Sequence, residues 1–109
     1  MITHRAFFGT AEHSFTLTDD MVTELERITD TGIGAFYQRM IAMHFKAADL
    51  AEIIRLGLIG AEMHPQEAMQ LVNTYARNRP MAETFPLALD ILDARWNGTA
   101  APATGDPTE

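Results

Sequence analysis

The chain has 109 residues, of which 47% are hydrophobic, so it can bury one modest core and a single domain is predicted. Fifteen acidic residues against eight Lys and Arg residues give a formal net charge of -7, which disfavours an electrostatic hold on nucleic acid. No cysteine is present, and this excludes disulfides and thiolate metal sites.

Neither a secretory signal nor a membrane span is predicted from the apolar segments. The first residues contain no apolar stretch of secretory length, and nowhere do about 18 uncharged apolar residues follow one another. The sequence therefore predicts a soluble, cytoplasmic protein that has neither a nucleic-acid nor a membrane partner.

Residues 3–18 are predicted to form an N-terminal β-hairpin. Phe7, Phe8 and Phe15 favour strands, and the Gly-Thr-Ala sequence at residues 9–11 supplies a turn. Because a two-stranded hairpin is barely stable in water by itself, it must pack on the helices of its own chain or pair with strands of other subunits. The second alternative leaves a homo-oligomer open.

About five helices are predicted to follow the hairpin. The first covers about residues 20–30, with Gly32 as a left-handed cap after its end, and the second continues to His44. We place a break around residues 45–47, because one continuous helix through this region would exceed the dimensions of a compact domain.

The third helix, over residues 49–63, is predicted to be central. Its apolar positions recur with helical spacing and cover most of its circumference. Gly57 and Gly60 lower its helix propensity, so we expect them to allow close contact with another helix. The stripe comprises Leu50, Ile53, Ile54, Gly57, Leu58 and Ala61.

Two further helices and a tail complete the predicted organisation. Pro65 starts a helix over residues 65–78, and the last helix covers residues 81–97, with Pro86 in its first turn or at a kink. Residues 99–109 are rich in Pro, Thr and Ala, and they predict a disordered tail. The resulting fold is mainly α with a small β component: a hairpin and about five helices packed as a small bundle over residues 1–98.

No catalytic, metal or cofactor site is predicted. The four histidines do not show the HExxH spacing of a zinc site, and the Thr-Gly-Ile-Gly turn at residues 31–34 follows a helix and lacks the other residues of a phosphate-binding loop. Because no set of candidate groups converges on one reaction, we expect the protein not to be an enzyme.

The order of these segments resembles one family. The chain is similar to the tail-assembly-chaperone-like proteins of gene transfer agents and related phages, also labelled as a gene transfer agent tail protein family, over roughly residues 5–98. That family usually has another glycine or two after Gly60, where this chain has Ala61 and Glu62. The most specific segments are Glu24-Leu25-Glu26, Thr31-Gly32-Ile33-Gly34, Leu56-Gly57-Leu58-Ile59-Gly60 and Trp96-Asn97-Gly98.

The resemblance implies a morphogenetic protein that acts while a phage-like tail is built. Its expected partners are tail proteins: a chaperone of this kind binds the tape measure protein and helps to recruit tail tube subunits. A structural tail component is the alternative within the resemblance. Two alternatives do not depend on the resemblance: a small regulatory or adaptor helical protein, and a DNA-binding regulator. The negative charge counts against DNA binding.

Four aromatic residues are the candidate partner contacts, namely Phe7, Phe8, Phe15 and Trp96. Aromatic side chains are enriched at protein interfaces, and they dominate small cores as readily. No cofactor is expected at any of these positions.

Overall fold

The computed structural model describes residues 1–99, and it confirms the mainly α fold with an N-terminal hairpin and five helices. Residues 100–109, which make up nearly all of the predicted tail, lie outside the described residues. The elements are β1 (Thr3–Phe8), β2 (Ala11–Thr16), α1 (Asp19–Thr29), α2 (Ile33–Ile41), α3 (Ala47–Gly60), α4 (Pro65–Tyr75) and α5 (Met81–Asn97).

The hairpin has a two-residue loop, Gly9-Thr10, and Phe8 pairs with Ala11 on either side of it. Gly9 has a φ of 74°, while Thr10 is not among the residues with positive φ, and this combination is typical of a type II′ turn. The register places His4 opposite Phe15 and His13 opposite Ala6. His4 and His13 are therefore diagonal neighbours on one face.

The hairpin packs on helices of its own chain, with β2 on α3 and β1 on α5. At Gly57 an added Cβ would lie 3.1 Å from the Cβ of Phe15 and 3.4 Å from Ile91 on α5. At Gly60 it would lie 1.8 Å from the carbonyl oxygen of Thr16. The prediction of close contact with another helix is confirmed, through Ile91 of α5 at Gly57 and through Met21 of α1, at 3.2 Å, at Gly60. At both glycines, however, the closest atom belongs to β2, which the sequence did not predict.

The third helix is central, as its apolar pattern predicts. It contacts β2, α1, α4 and α5, and most of its residues are buried. Asp49 is also buried. Its carboxylate accepts a hydrogen bond from the Lys46 N–H at 2.8 Å, which caps the first turn of the helix and compensates for the loss of solvent. The buried positions are Asp49, Leu50, Ala51, Ile53, Ile54, Leu56, Gly57 and Leu58.

The break between α2 and α3 is confirmed, but α2 ends at Ile41 and not at His44. Met43 adopts a φ of 64°, and the His44 N–H donates to the Arg39 carbonyl at 2.7 Å, which closes the helix as in a Schellman motif. The sequence marks this end poorly, because Met43 is not a residue that favours left-handed backbone.

The cap predicted at Gly32 is wrong. Asp30 takes the left-handed conformation, with a φ of 52°, while Gly32 has a φ of -65° and precedes α2 as its N-cap. A short polar side chain tolerates left-handed backbone better than most residues, so Asp30 can end α1 two residues earlier. Pro86 lies inside α5, beyond its first turn.

Candidate partner-binding surfaces

Phe8 and Phe15 lie in the core beneath the hairpin. Phe15 is 0% exposed and Phe8 is 6% exposed, and their rings meet edge to face with centroids 6.2 Å apart. Phe8 makes a second edge-to-face contact with Tyr75, at 6.1 Å. Both side chains therefore stabilise the hairpin on the helices and leave almost no surface for a partner.

Phe7 lies on the opposite face of β1. Successive side chains of a strand point to opposite faces, so when Phe8 is buried Phe7 must face outward, and it is 70% exposed. Its neighbours on this outer face are polar: Arg5 donates to Glu12 at 2.8 Å and to Ser14 at 2.9 Å. Phe7 is thus an apolar side chain on an otherwise polar sheet face.

Trp96 lies near the end of α5 and is 52% exposed. Its indole stacks on the ring of Tyr37 from α2, with centroids 4.7 Å apart and an interplanar angle of 14°. Gly34, one turn before Tyr37 on α2, leaves ordinary van der Waals space beside the indole. The stack fixes one face of Trp96 and leaves the rest of the ring to solvent.

Tyr37 is itself held in place by a hydrogen bond from its hydroxyl to the carboxylate of Asp93. This hydrogen bond raises the pKa of Tyr37 above its usual value, because it favours the protonated phenol. Asp93 lies three residues before Trp96 on α5, so the two side chains share a side of the helix. Asp93, Tyr37 and Trp96 form one connected polar and aromatic group, which we call the Trp96 surface.

The sequence indicates Trp96 as a candidate contact, but it does not indicate Tyr37 and Asp93, the two residues connected to it. The hydrogen bond from Tyr37 to Asp93 spans 56 positions of sequence, and no local sequence pattern indicates it. The sequence does not identify five further exposed apolar side chains, because apolar spacing along a helix does not show how far neighbouring elements cover it. They are Met1, Ile41, Met43, Met69 and Met81.

Five of the eight Lys and Arg residues form ion pairs with carboxylates of the chain. The pairing occupies most basic side chains, so the surplus charge is carried by carboxylates. A partner that approaches the described surface therefore meets mainly negative charge. The pairs are Arg5–Glu12, Arg27–Glu24, Arg55–Glu52, Arg79–Glu83 and Arg95–Asp19.

Within residues 1–99, no three His, Asp or Glu side chains are grouped closely enough to hold a metal ion. None of the helices in this part of the chain is long and apolar enough to cross a bilayer. The described surface carries exposed apolar side chains and a surplus of carboxylates.

Comparison with protein families gives a match over residues 1–98, which include all the helices and strands described above. The matching family is described as phage tail tube protein, GTA-gp10. No match was found among curated proteins or among solved structures. Because the family profile covers far more than half of the chain, the protein belongs to the phage tail tube protein, GTA-gp10, family of gene transfer agent and phage tail proteins.

Proposed function

We propose that the protein is a tail assembly chaperone, which binds the tape measure protein in the cytoplasm and helps to recruit tail tube subunits. Its role is binding without catalysis. The family match supports a tail protein in general, and it favours tail morphogenesis over a regulator or adaptor unrelated to tails. The finer assignment rests on the surface chemistry.

The observation that carries the proposal is the Trp96 surface. Trp96 is half exposed, yet it is stacked on Tyr37, which in turn is hydrogen-bonded to Asp93. An aromatic side chain that is already ordered loses little conformational entropy when it is covered by a partner. Trp and Tyr are also enriched among the residues that contribute most to protein binding.

A tape measure protein fits this surface because its long apolar helices need apolar cover before the tail closes around them. An amphipathic helix commonly binds by laying its apolar face against such a surface. Ile41 is one turn from Tyr37 on α2 and is also exposed, which extends the apolar area beyond the indole. The net charge of -7 would keep the resulting complex soluble.

The proposal is tested by coexpressing the protein with the tape measure protein of the same gene cluster. We expect the soluble fraction of the tape measure protein to rise. Trp96→Ala should weaken its binding by about tenfold or more, as expected for a central aromatic contact. Met69→Ala is the matched control, since Met69 is an exposed apolar side chain on α4 and should leave binding unchanged.

A tape measure protein that stays insoluble and unbound beside the wild-type chain would show that the proposal is wrong. A structural tail component is the second candidate, and it is favoured by the description of the matching family as phage tail tube protein. Quantitative mass spectrometry of purified particles separates the two. A tube component must be present in many copies per particle, whereas a chaperone must be absent.

A further inference from the structure

We propose that the outer edge of β1 binds an extended, positively charged segment of a partner protein, which adds to the hairpin as a third strand. The segment would lie between this edge and α5. The inference rests on the proposed function in one respect, that the partner is a protein. It adds the site and the chemistry of the bound segment.

The hydrogen-bonding pattern of the hairpin leaves this edge open. Phe8 and Ala11 flank the two-residue loop, so they form a pair that exchanges hydrogen bonds, and such pairs alternate with pairs that do not. Arg5 and Phe7 therefore direct their backbone N–H and C=O groups away from β2. These are the groups with which an added strand pairs.

Thr99 already forms hydrogen bonds with the N-terminal end of the same edge. Its N–H donates to the carbonyl of Met1 at 2.7 Å, and its hydroxyl donates to the carbonyl of Thr3 at 3.3 Å. Both acceptors lie on the side of β1 that faces away from β2, as the alternation requires. Within residues 1–99, no hydrogen bond continues this pairing along the edge to Arg5 and Phe7.

Two hollows lie between β1 and α5, one at each end of the open part of the edge. One hollow of about 340 Å³ lies next to Thr99 and is lined by His4, Asp90 and Asp93. A second, of about 200 Å³, lies at the turn end between Phe7 and Leu87. One hollow lies at His4 and the other at Phe7 and Phe8, so an extended segment along the edge would reach both.

The charge of the hollow beside Thr99 indicates a basic segment, whereas the hollow at the turn end contains the Arg79–Glu83 ion pair and adds no net charge. Asp90 is more than half exposed, and its nearest cation is the side chain of His4 at 3.9 Å, which is charged only when protonated. Asp93 adds a second carboxylate to the same hollow. Alternate side chains of an added strand would point toward these carboxylates, and the others would lie beside Phe7 on the outer face.

Two other occupants fit the charges less well. A second copy would bring another chain of net charge -7, and the one basic residue of its hairpin, Arg5, is already paired with Glu12. Residues 100–109 contain two acidic residues, no basic residue and two prolines, and proline cannot donate to a strand ladder.

The test uses the full chain and a blocked peptide of alternating Lys and Val residues, with a Glu-for-Lys peptide as control. We expect the Lys peptide to bind and to slow hydrogen exchange at the amides of Arg5 and Phe7. Phe7→Pro removes an edge N–H without removing a bond to β2, and it should bind at least about tenfold more weakly than Phe7→Val, which keeps that N–H.

The charge is tested separately. Asp90→Lys should weaken binding several-fold, whereas Asp20→Lys, an equal change at an exposed site on α1, should alter it little. Circular dichroism and thermal unfolding of each variant establish that it is folded. Exchange protection of the wild-type amides on peptide binding needs no variant, so the inference stays testable even if Phe7→Pro unfolds.

Several outcomes would overturn the inference. They are no binding of the Lys peptide, equal binding by Phe7→Pro and Phe7→Val, and no slowing of exchange at Arg5 and Phe7. A dimer that Phe7→Pro dissociates would assign the edge to a second copy, and edge amides already protected in the free monomer would assign it to the chain itself.

The same variants separate this inference from the proposed function. If the tape measure protein binds wild type and Phe7→Pro equally, the chaperone function stands and the edge site is wrong. If the Lys peptide binds at the edge but the tape measure protein binds nowhere, the edge site stands and the chaperone function is wrong.

Discussion

The backbone of Gly60, the last residue of α3, lies directly against the carbonyl oxygen of Thr16 at the end of β2. A Cβ at residue 60 would come within 1.8 Å of that oxygen, which is far inside van der Waals contact. This contact fixes the end of the central helix on the hairpin, so the packing of the two elements requires that residue 60 have no side chain.

Gly60→Ala is therefore expected to destabilise the fold by about 3 kcal/mol. The added methyl group meets backbone, which cannot rotate away, so the helix and strand must separate. The higher helix propensity of Ala offsets at most about 1 kcal/mol of this cost. Urea unfolding followed by circular dichroism measures the difference.

Gly34→Ala is the matched control on another helix. At that position the nearest atom to the added Cβ would be in the Trp96 ring, at 3.8 Å, so we expect no loss and a gain of up to about 1 kcal/mol. Equal unfolding free energies for the two variants would contradict the role assigned to the Thr16 contact.

The second prediction concerns Glu62, which follows α3 with a φ of 76°. Its N–H donates to Ile59, and the next N–H, of Met63, donates to Leu58, which is the Schellman arrangement that normally has glycine at this position. Glu62→Gly should stabilise the protein by about 1 kcal/mol, because it relieves left-handed strain.

Glu62→Ala separates strain from charge. It also removes an acidic residue from the negative end of the helix dipole, but it keeps a Cβ at a positive φ. The thermal midpoint of the Gly variant should therefore exceed that of the Ala variant. If the two midpoints coincide, charge and not backbone conformation accounts for any gain.

The fold was predictable from the sequence where local patterns determine it. The apolar spacing around Leu50 and Ile54 identified the central helix, and Pro65 marked the start of α4 at the observed residue. Positions with competing local signals were less predictable. Gly32 favours left-handed backbone more strongly than Asp30 does, yet Asp30 ends α1 and Gly32 precedes α2 in extended backbone.

The candidate surface was predictable only in part, since it depends on contacts that are distant in sequence. Phe7 and Phe8 are equivalent by composition, and the strand pattern alone requires that one of them be exposed. Only the position of α5 and Tyr75 beneath the hairpin decides that Phe8 is buried. Likewise, the exposure of Trp96 depends on Tyr37, which belongs to a different helix.

The third prediction uses this difference between the phenylalanines. Phe15→Ser should cost more than about 3 kcal/mol, because it leaves a cavity and a buried hydroxyl in the core. Phe7→Ser should change stability by less than about 0.5 kcal/mol, as is usual for exposed positions. Similar unfolding curves for the two variants would contradict the predicted orientation of β1.

The last prediction concerns the hydrogen bond between Tyr37 and Asp93. Tyr37→Phe should cost about 1 kcal/mol at neutral pH, since it removes the donor and leaves the carboxylate partly covered. Tyr75→Phe, at the other tyrosine of the chain, is the control and should cost less, because the Tyr75 ring packs edge to face on Phe8 and phenylalanine keeps this ring contact.

The stabilisation by the Tyr37–Asp93 hydrogen bond should decrease at high pH. The hydrogen bond to Asp93 raises the pKa of Tyr37 in the folded state, so its stabilisation is fully present below the unfolded tyrosine pKa of about 10. It is lost as the pH rises through the folded-state pKa. The difference in unfolding free energy between wild type and Tyr37→Phe should thus be constant from neutral pH to about pH 9 and shrink above about pH 10. Tyrosinate absorbance in a Tyr75→Phe background measures that pKa directly, and a value at or below that of free tyrosine would contradict the hydrogen bond.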